Sequence, residues 1–112
     1  MIKLIIAVKR NPSLTPQQFR EHLSTQHARL IKACPATTRY MPKYVQNYSL
    51  PAAPGDPENA FDGCAELYFN TVEDMHRFFS DPDYLRDVRP DEDRFSDRER
   101  CVFFVTEERQ VI

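Results

Sequence analysis

The stretch IKLIIAVKRNPSLTPQQF (Ile2–Phe19) joins a strand pattern to a helix start, and it decides how the rest of the chain is arranged. Its first part is an apolar run, typical of a strand that is buried on both faces. Thr15 then stands where a helix N-cap is expected, with Pro16 at the first helical position and Gln18 three residues after the cap. We therefore predict a strand over Ile2–Lys9 and a helix that begins at Pro16.

The remaining chain repeats this alternation of strand and helix patterns. The first helix is expected to end near Ala33, because Pro35 follows it. The further predicted elements are a strand over Tyr40–Leu50, a proline-rich loop over Ser49–Asn59, a strand over Cys64–Asn70, a helix over Val72–Phe79 capped by Thr71, a short helical piece over Asp83–Val88 and a strand over Arg100–Glu107.

The predicted order is strand, helix, strand, strand, helix, strand, within a single domain over residues 1–112. This order is typical of an α+β, ferredoxin-like fold, in which an antiparallel sheet carries its helices on one face. Several strands nonetheless place apolar residues on both faces, such as Leu4 beside Ile5 and Phe103 beside Phe104. An uncovered apolar sheet face is unfavourable in a monomer. We therefore expect a homodimer, packed sheet to sheet and closed into an α/β barrel.

The composition excludes several classes of function. The formal net charge of −2 gives no reason to expect nucleic acid or a membrane as a partner, and no apolar run is long enough to span a bilayer. A cytoplasmic location is the default expectation. Three widely spaced cysteines without a CxxC pair argue against a disulfide framework and a zinc ribbon. Two glycines in the whole chain exclude a glycine-rich phosphate loop.

The first helix contains two histidines in the stretch QFREHLSTQHARL (Gln18–Leu30). On a regular α-helix, with about 100° per residue, one apolar stripe faces the sheet. That stripe consists of Phe19, Leu23, Leu30 and Ala33. His22 and His27 flank the stripe, roughly 140° apart, so we expect no shared metal ion. The helical wheel alone does not decide which histidine has a chemical role.

Four short motifs occur in order along the chain, and together they resemble the EthD family of dimeric α/β-barrel proteins. The motifs are Phe19-x-x-His22-x-x-x-x-His27-x-x-Leu30, Lys43-Tyr44, Asp62-Gly63-x-x-Glu66 and Asp91-Glu92-x-x-Phe95. The recurring histidine of such sequences corresponds to His27, and their usual tryptophan corresponds to Leu23. The resemblance thus selects His27 and leaves His22 on the helix surface. It also implies a pocket between helices and sheet that needs no metal, flavin or haem cofactor.

Candidate site residues follow from this resemblance and from strand parity. An imidazole both accepts and donates a proton near neutrality, which suits His27 as general base and acid. A phenol that donates a hydrogen bond to a developing enolate is available in Tyr44, with Tyr48 and Tyr40 on the same predicted strand face. Two carboxylates remain open to opposite interpretations. Glu66 either orients His27 or binds a substrate hydroxyl, or it lies at an edge in solvent or pairs with an arginine. Asp91 either closes the pocket or caps the final turn, or it belongs to a solvated charge run.

The resemblance predicts a cofactor-independent acid/base enzyme, of decarboxylase, dehydratase, cyclase or isomerase type. Its substrate would be a small aromatic or polyketide-derived acid or ketone. Two alternatives stay open: a non-catalytic accessory protein that binds a small hydrophobic metabolite, and a cofactor-free monooxygenase. We expect no cofactor in any of the three cases.

Overall fold

A four-stranded antiparallel sheet in the order β2-β3-β1-β4 forms the centre of the computed structural model, which describes residues 1–112. The α+β, ferredoxin-like class predicted from the element order is confirmed. The elements are β1 (Ile2–Val8), α1 (Pro16–His22), a π-helical turn (Leu23–His27), α2 (Ala28–Ala33), α3 (Pro35–Tyr40), β2 (Lys43–Tyr48), β3 (Gly63–Phe69), α4 (Val72–Ser80), α5 (Pro82–Asp87), α6 (Arg89–Phe95), a short 3₁₀ turn (Arg98–Arg100) and β4 (Val102–Glu107).

The register of the sheet assigns its residues to two faces. In β1, Leu4 lies opposite Leu67 of β3 and Val105 of β4, and it is buried beneath the helices. The next residue, Ile5, lies opposite Glu66 and points to the other face, because side chains alternate along a strand. The helix-covered face therefore holds the core, and the second face has no element of this chain over it.

The main core lies between the helix-covered face and helices α4 and α5. Phe69 of β3 and Phe78 of α4 are fully buried, with ring centroids 5.8 Å apart. The ring of Tyr84 in α5 is tilted against Phe78 at a centroid distance of 4.9 Å. A smaller cluster includes Phe19 and Phe95, whose rings contact edge to face at a centroid distance of 6.2 Å. This second cluster holds α1 against α6.

The first predicted helix consists of α1, the π-helical turn and α2. It begins at Pro16 and ends at Ala33, as the sequence predicts, but it is not a regular α-helix. Thr15 caps it, and a capping box with Gln18 is formed. Over Leu23–His27 the backbone widens into a π-helical turn, in which the Ala28 amide donates to the Leu23 carbonyl five residues earlier. The Gln46 side chain of β2 donates a second hydrogen bond to that same carbonyl, at 2.9 Å.

The π-turn shifts the buried stripe by one residue in the second half of the helix. A π-turn advances by about 80° per residue rather than about 100°, so every later position rotates backward. Accordingly Ile31 and Cys34 are buried, while Leu30 is half-buried and Ala33 is exposed. The predicted stripe is thus correct at Phe19 and Leu23 and wrong after the π-turn.

Two other predicted elements differ from the structure. The strand predicted over Tyr40–Leu50 is shorter in the structure, over Lys43–Tyr48. Tyr40 belongs to the short helix Pro35–Tyr40, which has a proline at its first position. The charge run that begins at Arg89 is not solvated throughout: it forms helix α6, in which Asp91 and Phe95 are buried. Pro35 and Pro90 lie in the first turns of these helices, where proline is tolerated because its missing N–H has no intrahelical partner.

The uncovered sheet face is partly apolar. Val102 and Phe104 of the edge strand β4 keep 46% and 48% of their surface exposed. Toward the end of this face Lys3 forms ion pairs with Glu66 at 2.9 Å and with Glu108 at 2.7 Å. None of the helices in the structure has the length and hydrophobicity that crossing a membrane requires.

Substitution of Gly63, the first residue of β3, tests the closeness of the β2–β3 pairing. A Cβ atom at this position would lie 2.7 Å from the backbone oxygen of Asn47 and 3.4 Å from the Phe19 ring. We expect Gly63→Ala to lower the free energy of unfolding by roughly 1–3 kcal/mol, measured by urea unfolding followed by circular dichroism. Gly55→Ala is the comparison: its Cβ meets nothing within 4 Å, and only its positive φ opposes it, at roughly 1 kcal/mol. A cost for Gly63→Ala below that of Gly55→Ala would contradict the packing described.

Candidate active site

A buried carboxylate joins the two histidines of the first helix. Asp91 is completely inaccessible to solvent. His22 Nε2 lies 2.9 Å from Asp91 Oδ1, and His27 Nδ1 lies 3.0 Å from Asp91 Oδ2. The exposed Arg94 adds a weaker contact of 3.4 Å to the same carboxylate. Asp91 thus connects α6 to both ends of the π-turn.

The π-turn is the reason that both histidines reach one carboxylate. Residues five apart on an α-helix point about 140° away from each other, which is what the sequence predicted for this pair. Across a π-turn, residues five apart are separated by roughly one turn and lie on nearly the same side. His22 therefore is not the surface residue that the sequence predicted: its side chain is half-buried and hydrogen-bonded.

The protonation of this cluster follows from its geometry. Burial opposes the charge on Asp91, but the hydrogen bonds from His22 and His27 outweigh it and hold the pKa of Asp91 below its usual range. An ionised carboxylate only accepts hydrogen bonds, so the His27 Nδ1 that faces it carries the proton. Burial lowers the pKa of His27 below its usual 6.5. The ring is therefore neutral at pH 7, with an unprotonated Nε2.

His27 lies in the wall of a cavity of about 380 Å³ between the helices and the sheet. The His27 ring is fixed there by edge-to-face contact with Phe95, at a centroid distance of 4.6 Å. Of the 21 residues that line the cavity, 16 are hydrophobic. The others are His27, Arg89, Glu92, Ser96 and Arg98. A mostly apolar cavity with a few polar groups is typical of a site for a small organic molecule.

A second polar group in the cavity is the Glu92 carboxyl. Its Oε2 accepts a hydrogen bond from the Tyr84 hydroxyl at 2.5 Å, and its Oε1 lies 3.0 Å from Arg98 Nη1. Burial raises the pKa of Glu92 above its usual range, although both donors act to lower it. Burial and the nearby Glu92 also raise the pKa of Tyr84.

The structure brings together some of the residues predicted for the site and separates others. Tyr44 lines the cavity with His27; its hydroxyl accepts a hydrogen bond from Gln46 Nε2 at 3.2 Å, and burial raises its pKa to about 12. Tyr48, on the same face, instead donates to Gln46 Oε1, and the Arg20 guanidinium lies over its ring beside a separate polar cleft. Tyr40, predicted to begin this strand, instead ends helix α3 and does not line the cavity.

Glu66 does not approach His27. Strand alternation turns it to the uncovered sheet face, where it accepts from Lys3 and from Asn47 at 2.9 and 3.0 Å. These two donors lower its pKa. The structure therefore shows Glu66 in an ion pair away from the cavity, and the partner is Lys3 rather than the expected arginine.

His22 and Glu92 were not predicted as site residues from the sequence, and the role of Asp91 was left open. One pattern does point to Asp91. Tyr84, Val88, Asp91 and Phe95 follow one another at helical spacing, and all four are buried. Asp91 therefore stands on an apolar stripe, where a solvated carboxylate is not expected. No comparable pattern marks the π-turn, since its residues, LSTQH, are compatible with an ordinary α-helix.

The family model described as the EthD domain matches residues 11–99, which is most of the chain. The chain belongs to the EthD family. The resemblance seen in the four sequence motifs is thereby confirmed, and the match includes the histidine pair, Tyr44 and helix α6.

Two fungal relatives of this EthD chain are named as dehydratases. Dehydratase aurZ of Gibberella zeae is 25% identical over 116 residues, covering 94% of this chain and 75% of that protein. The conidial pigment biosynthesis dehydratase EthD of Metarhizium robertsii is 28% identical over 114 residues, covering 94% of this chain and 80% of that protein.

Solved structures share the fold along nearly the whole chain. An EthD family protein of Bacillus halodurans has a TM-score of 0.69 and 20% identity, covering 97% of this chain and 99% of its own. A dimeric ferredoxin-like protein of Thermobifida fusca has a TM-score of 0.65 and 17% identity, covering 96% and 90%. SnoaB, a cofactor-independent oxygenase of Streptomyces nogalater, has a TM-score of 0.64 and 11% identity, covering 99% and 95%.

The lowered pKa of His27 predicts a loss of stability in mild acid. Below about pH 6.5 the unfolded chain binds a proton on this ring that the folded, buried ring binds only at lower pH, so the free energy of unfolding falls as the pH falls. Urea unfolding at about pH 7 and about pH 5 should show a lower midpoint in acid. His27→Asn should reduce this difference, and the exposed His76→Asn should leave it as it is. Equal differences in all three proteins would contradict a neutral buried His27.

Proposed function

We propose that this EthD protein is a cofactor-independent enzyme that moves protons on a bound organic substrate, with His27 as its general base and acid. One observation carries the proposal. His27 has its Nδ1–H held by a buried carboxylate, and it lines an apolar cavity large enough for a small organic molecule. A carboxylate on the far ring nitrogen fixes the tautomer and raises the basicity of the near one. Nε2 is the nitrogen that would take the proton.

Tyr44 is proposed as the hydrogen-bond donor to the substrate. Because its pKa is raised to about 12, the phenol stays protonated and can donate to a carbonyl oxygen. When the proton next to that carbonyl leaves to His27, negative charge develops on the oxygen. A donor already in place stabilises that charge most in the transition state, where it is greatest.

The proposed substrate is a small aromatic or polyketide-derived ketone or acid. The apolar lining suits a flat hydrophobic body, and the few polar groups suit its oxygen atoms. Among the reactions that share an enolate, loss of water is favoured here, because both fungal relatives are named as dehydratases and one is named for pigment biosynthesis. Cyclisation and isomerisation need the same base, and decarboxylation needs the protonated His27 to return a proton to the enolate carbon. All three remain outcomes of the test.

Two alternative functions remain outcomes of the same test. An accessory protein would use the cavity to hold a metabolite without converting it. The second alternative is a cofactor-free oxygenase, the class of enzyme as which SnoaB is named. The buried Asp91–His27 pair favours the acid/base enzyme over both, because binding alone needs apolar shape and no fixed tautomer.

The first test measures turnover by wild type and His27→Asn on a panel of β-hydroxy aromatic ketones, aromatic polyketide acids and muconolactones. Asparagine keeps a donor near Asp91 and removes the Nε2 base. We expect the rate to fall about 10²–10⁴-fold, with products identified by liquid chromatography and mass spectrometry. His76→Asn, an exposed histidine on α4, is the matched control and should keep the wild-type rate.

The mass of the product separates the possible functions. Loss of water or carbon dioxide, or a product of unchanged mass and altered retention time, supports the proposed enzyme class when it is seen with wild type only. A gain of oxygen would replace it with an oxygenase. Tight binding by both proteins without any product would replace it with the accessory function.

We also propose that the protein is a homodimer through its uncovered sheet face. Val102, Phe104 and Ile5 give that face an apolar centre, which a second copy would remove from water. The structural neighbour from Thermobifida fusca is described as dimeric, and it shares this fold. The barrel expected from the sequence would form when two such sheets pack together.

Size-exclusion chromatography with light scattering tests the oligomeric state. The wild type should have about twice the chain mass of 13.2 kDa, and Phe104→Lys should shift it toward the monomer, because a charge is then placed at the centre of the contact. Val72→Lys is the matched control, since Val72 is an exposed apolar residue on the helix side. A wild type that elutes as a monomer, or a Val72→Lys that alone dissociates, would contradict the proposed interface.

A further inference from the structure

We infer that Glu92 is the second proton-transfer group of the cavity and acts as the general acid that protonates the oxygen leaving from the substrate. The inference rests on the proposed function, because it needs His27 to act as the base. It adds a specific claim: the substrate carries its leaving hydroxyl at the carbon β to a ketone, and this hydroxyl lies toward α6.

Helix α6 directs its two neighbouring carboxylates to different places. Consecutive residues on an α-helix point about 100° apart, so Asp91 reaches the two histidines while Glu92 faces the cavity. His27 and Glu92 line the same cavity of about 380 Å³. A sphere of that volume is about 9 Å across, comparable to a bicyclic aromatic molecule, so one substrate can contact both groups.

Elimination of water needs two proton transfers at two different atoms. The C–H bond next to the ketone breaks, its proton goes to His27 Nε2, and its electron pair forms the enolate. The enolate then re-forms the ketone as the C–O bond at the β carbon breaks. Hydroxide is a poor leaving group, and a proton from the Glu92 carboxyl lets it leave as water. The proton on His27 later returns to the Glu92 carboxylate through solvent, so the reaction needs no oxidant or reductant.

The surroundings of Glu92 suit an acid that must become an anion during the reaction. Its burial keeps part of the population protonated at a pH where an exposed glutamate is fully ionised. Tyr84 and Arg98 each donate to one carboxylate oxygen, at 2.5 and 3.0 Å. These donors stabilise the negative charge that appears on Glu92 when its proton leaves. Tyr84 and Arg98 are therefore positioning residues, and Glu92 contacts the reacting atom.

The test uses 3-hydroxy-1-tetralone, a two-ring ketone whose loss of water yields an enone that tautomerises to the aromatic 1-naphthol. In deuterated water, two events are read separately on this compound. Exchange of hydrogen for deuterium at C2, followed by nuclear magnetic resonance, reports removal of the carbon-bound proton. Formation of 1-naphthol, followed by fluorescence, reports departure of the hydroxyl.

Glu92→Gln is expected to retain C2 exchange within a fewfold of wild type and to lose at least about 10²-fold in naphthol formation. His27→Asn is expected to lose both. Glu99→Gln, an exposed residue of the 3₁₀ turn, is the matched control and should change neither. If Glu92→Gln forms naphthol at the wild-type rate, the inference is overturned.

A substrate with a better leaving group separates acid catalysis from a structural effect. On 3-acetoxy-1-tetralone, acetate leaves without needing a proton, so Glu92→Gln should approach the wild-type rate there. Loss of elimination from both tetralones would overturn the inference, because it would show that Glu92 only shapes the cavity. The urea midpoint of Glu92→Gln checks the fold; should that variant fail to fold, Glu92→Asp takes its place, with naphthol formation lowered and acetate loss kept.

Failure of the proposed function gives a different result from failure of the inference. A wild type that neither exchanges deuterium at C2 nor forms naphthol overturns both, since no base then acts on this class of ketone. A wild type that does both, with Glu92→Gln unchanged, overturns the role of Glu92 alone.

Discussion

The desolvated carboxylate of Asp91 is the constraint on which the rest of this structure depends. A carboxylate without solvent contact remains ionised only when several donors surround it. Here the two closest donors are His22 and His27, and both come from one short segment of the first helix. That requirement connects the π-turn, helix α6 and the ring of Phe95 into a single unit. The same unit presents one imidazole nitrogen to the cavity, so stability and proposed chemistry have a common origin.

The element order and most strand boundaries were predictable because they depend on local patterns. The run of β1, the Thr15 cap and the ending of the first helix before Pro35 all reflect preferences of neighbouring residues. The π-turn was not predictable in this way. It is stabilised by contacts from other parts of the chain, namely Gln46 at the Leu23 carbonyl and Asp91 at the two histidines. Helix α6 was not predicted, because its charged residues resemble a solvated surface.

The candidate site was partly predictable. Family resemblance and strand parity placed His27 and Tyr44, which do line one cavity. Strand parity also separates Glu66 from that cavity, because its neighbour Leu67 faces the helices. Tyr40 was predicted from a strand start that lies at Lys43 in the structure. Tyr48 lies on the predicted face, but its position at the end of the strand places it beside the separate cleft. Glu92 was outside the reach of local patterns, since its neighbours Tyr84 and Arg98 are defined only when α5, α6 and the 3₁₀ turn pack together.

The π-turn has a consequence for how related chains are aligned. It acts as one inserted residue within an otherwise α-helical segment, so a homologue that lacks it would need a single-residue gap inside Leu23–His27. An ungapped alignment to such a homologue would match the exposed Ala33 to a buried position and the buried Cys34 to an exposed one. It would also assign the second histidine to the wrong column. Transfer of site residues between EthD sequences therefore depends on whether each helix contains this extra residue.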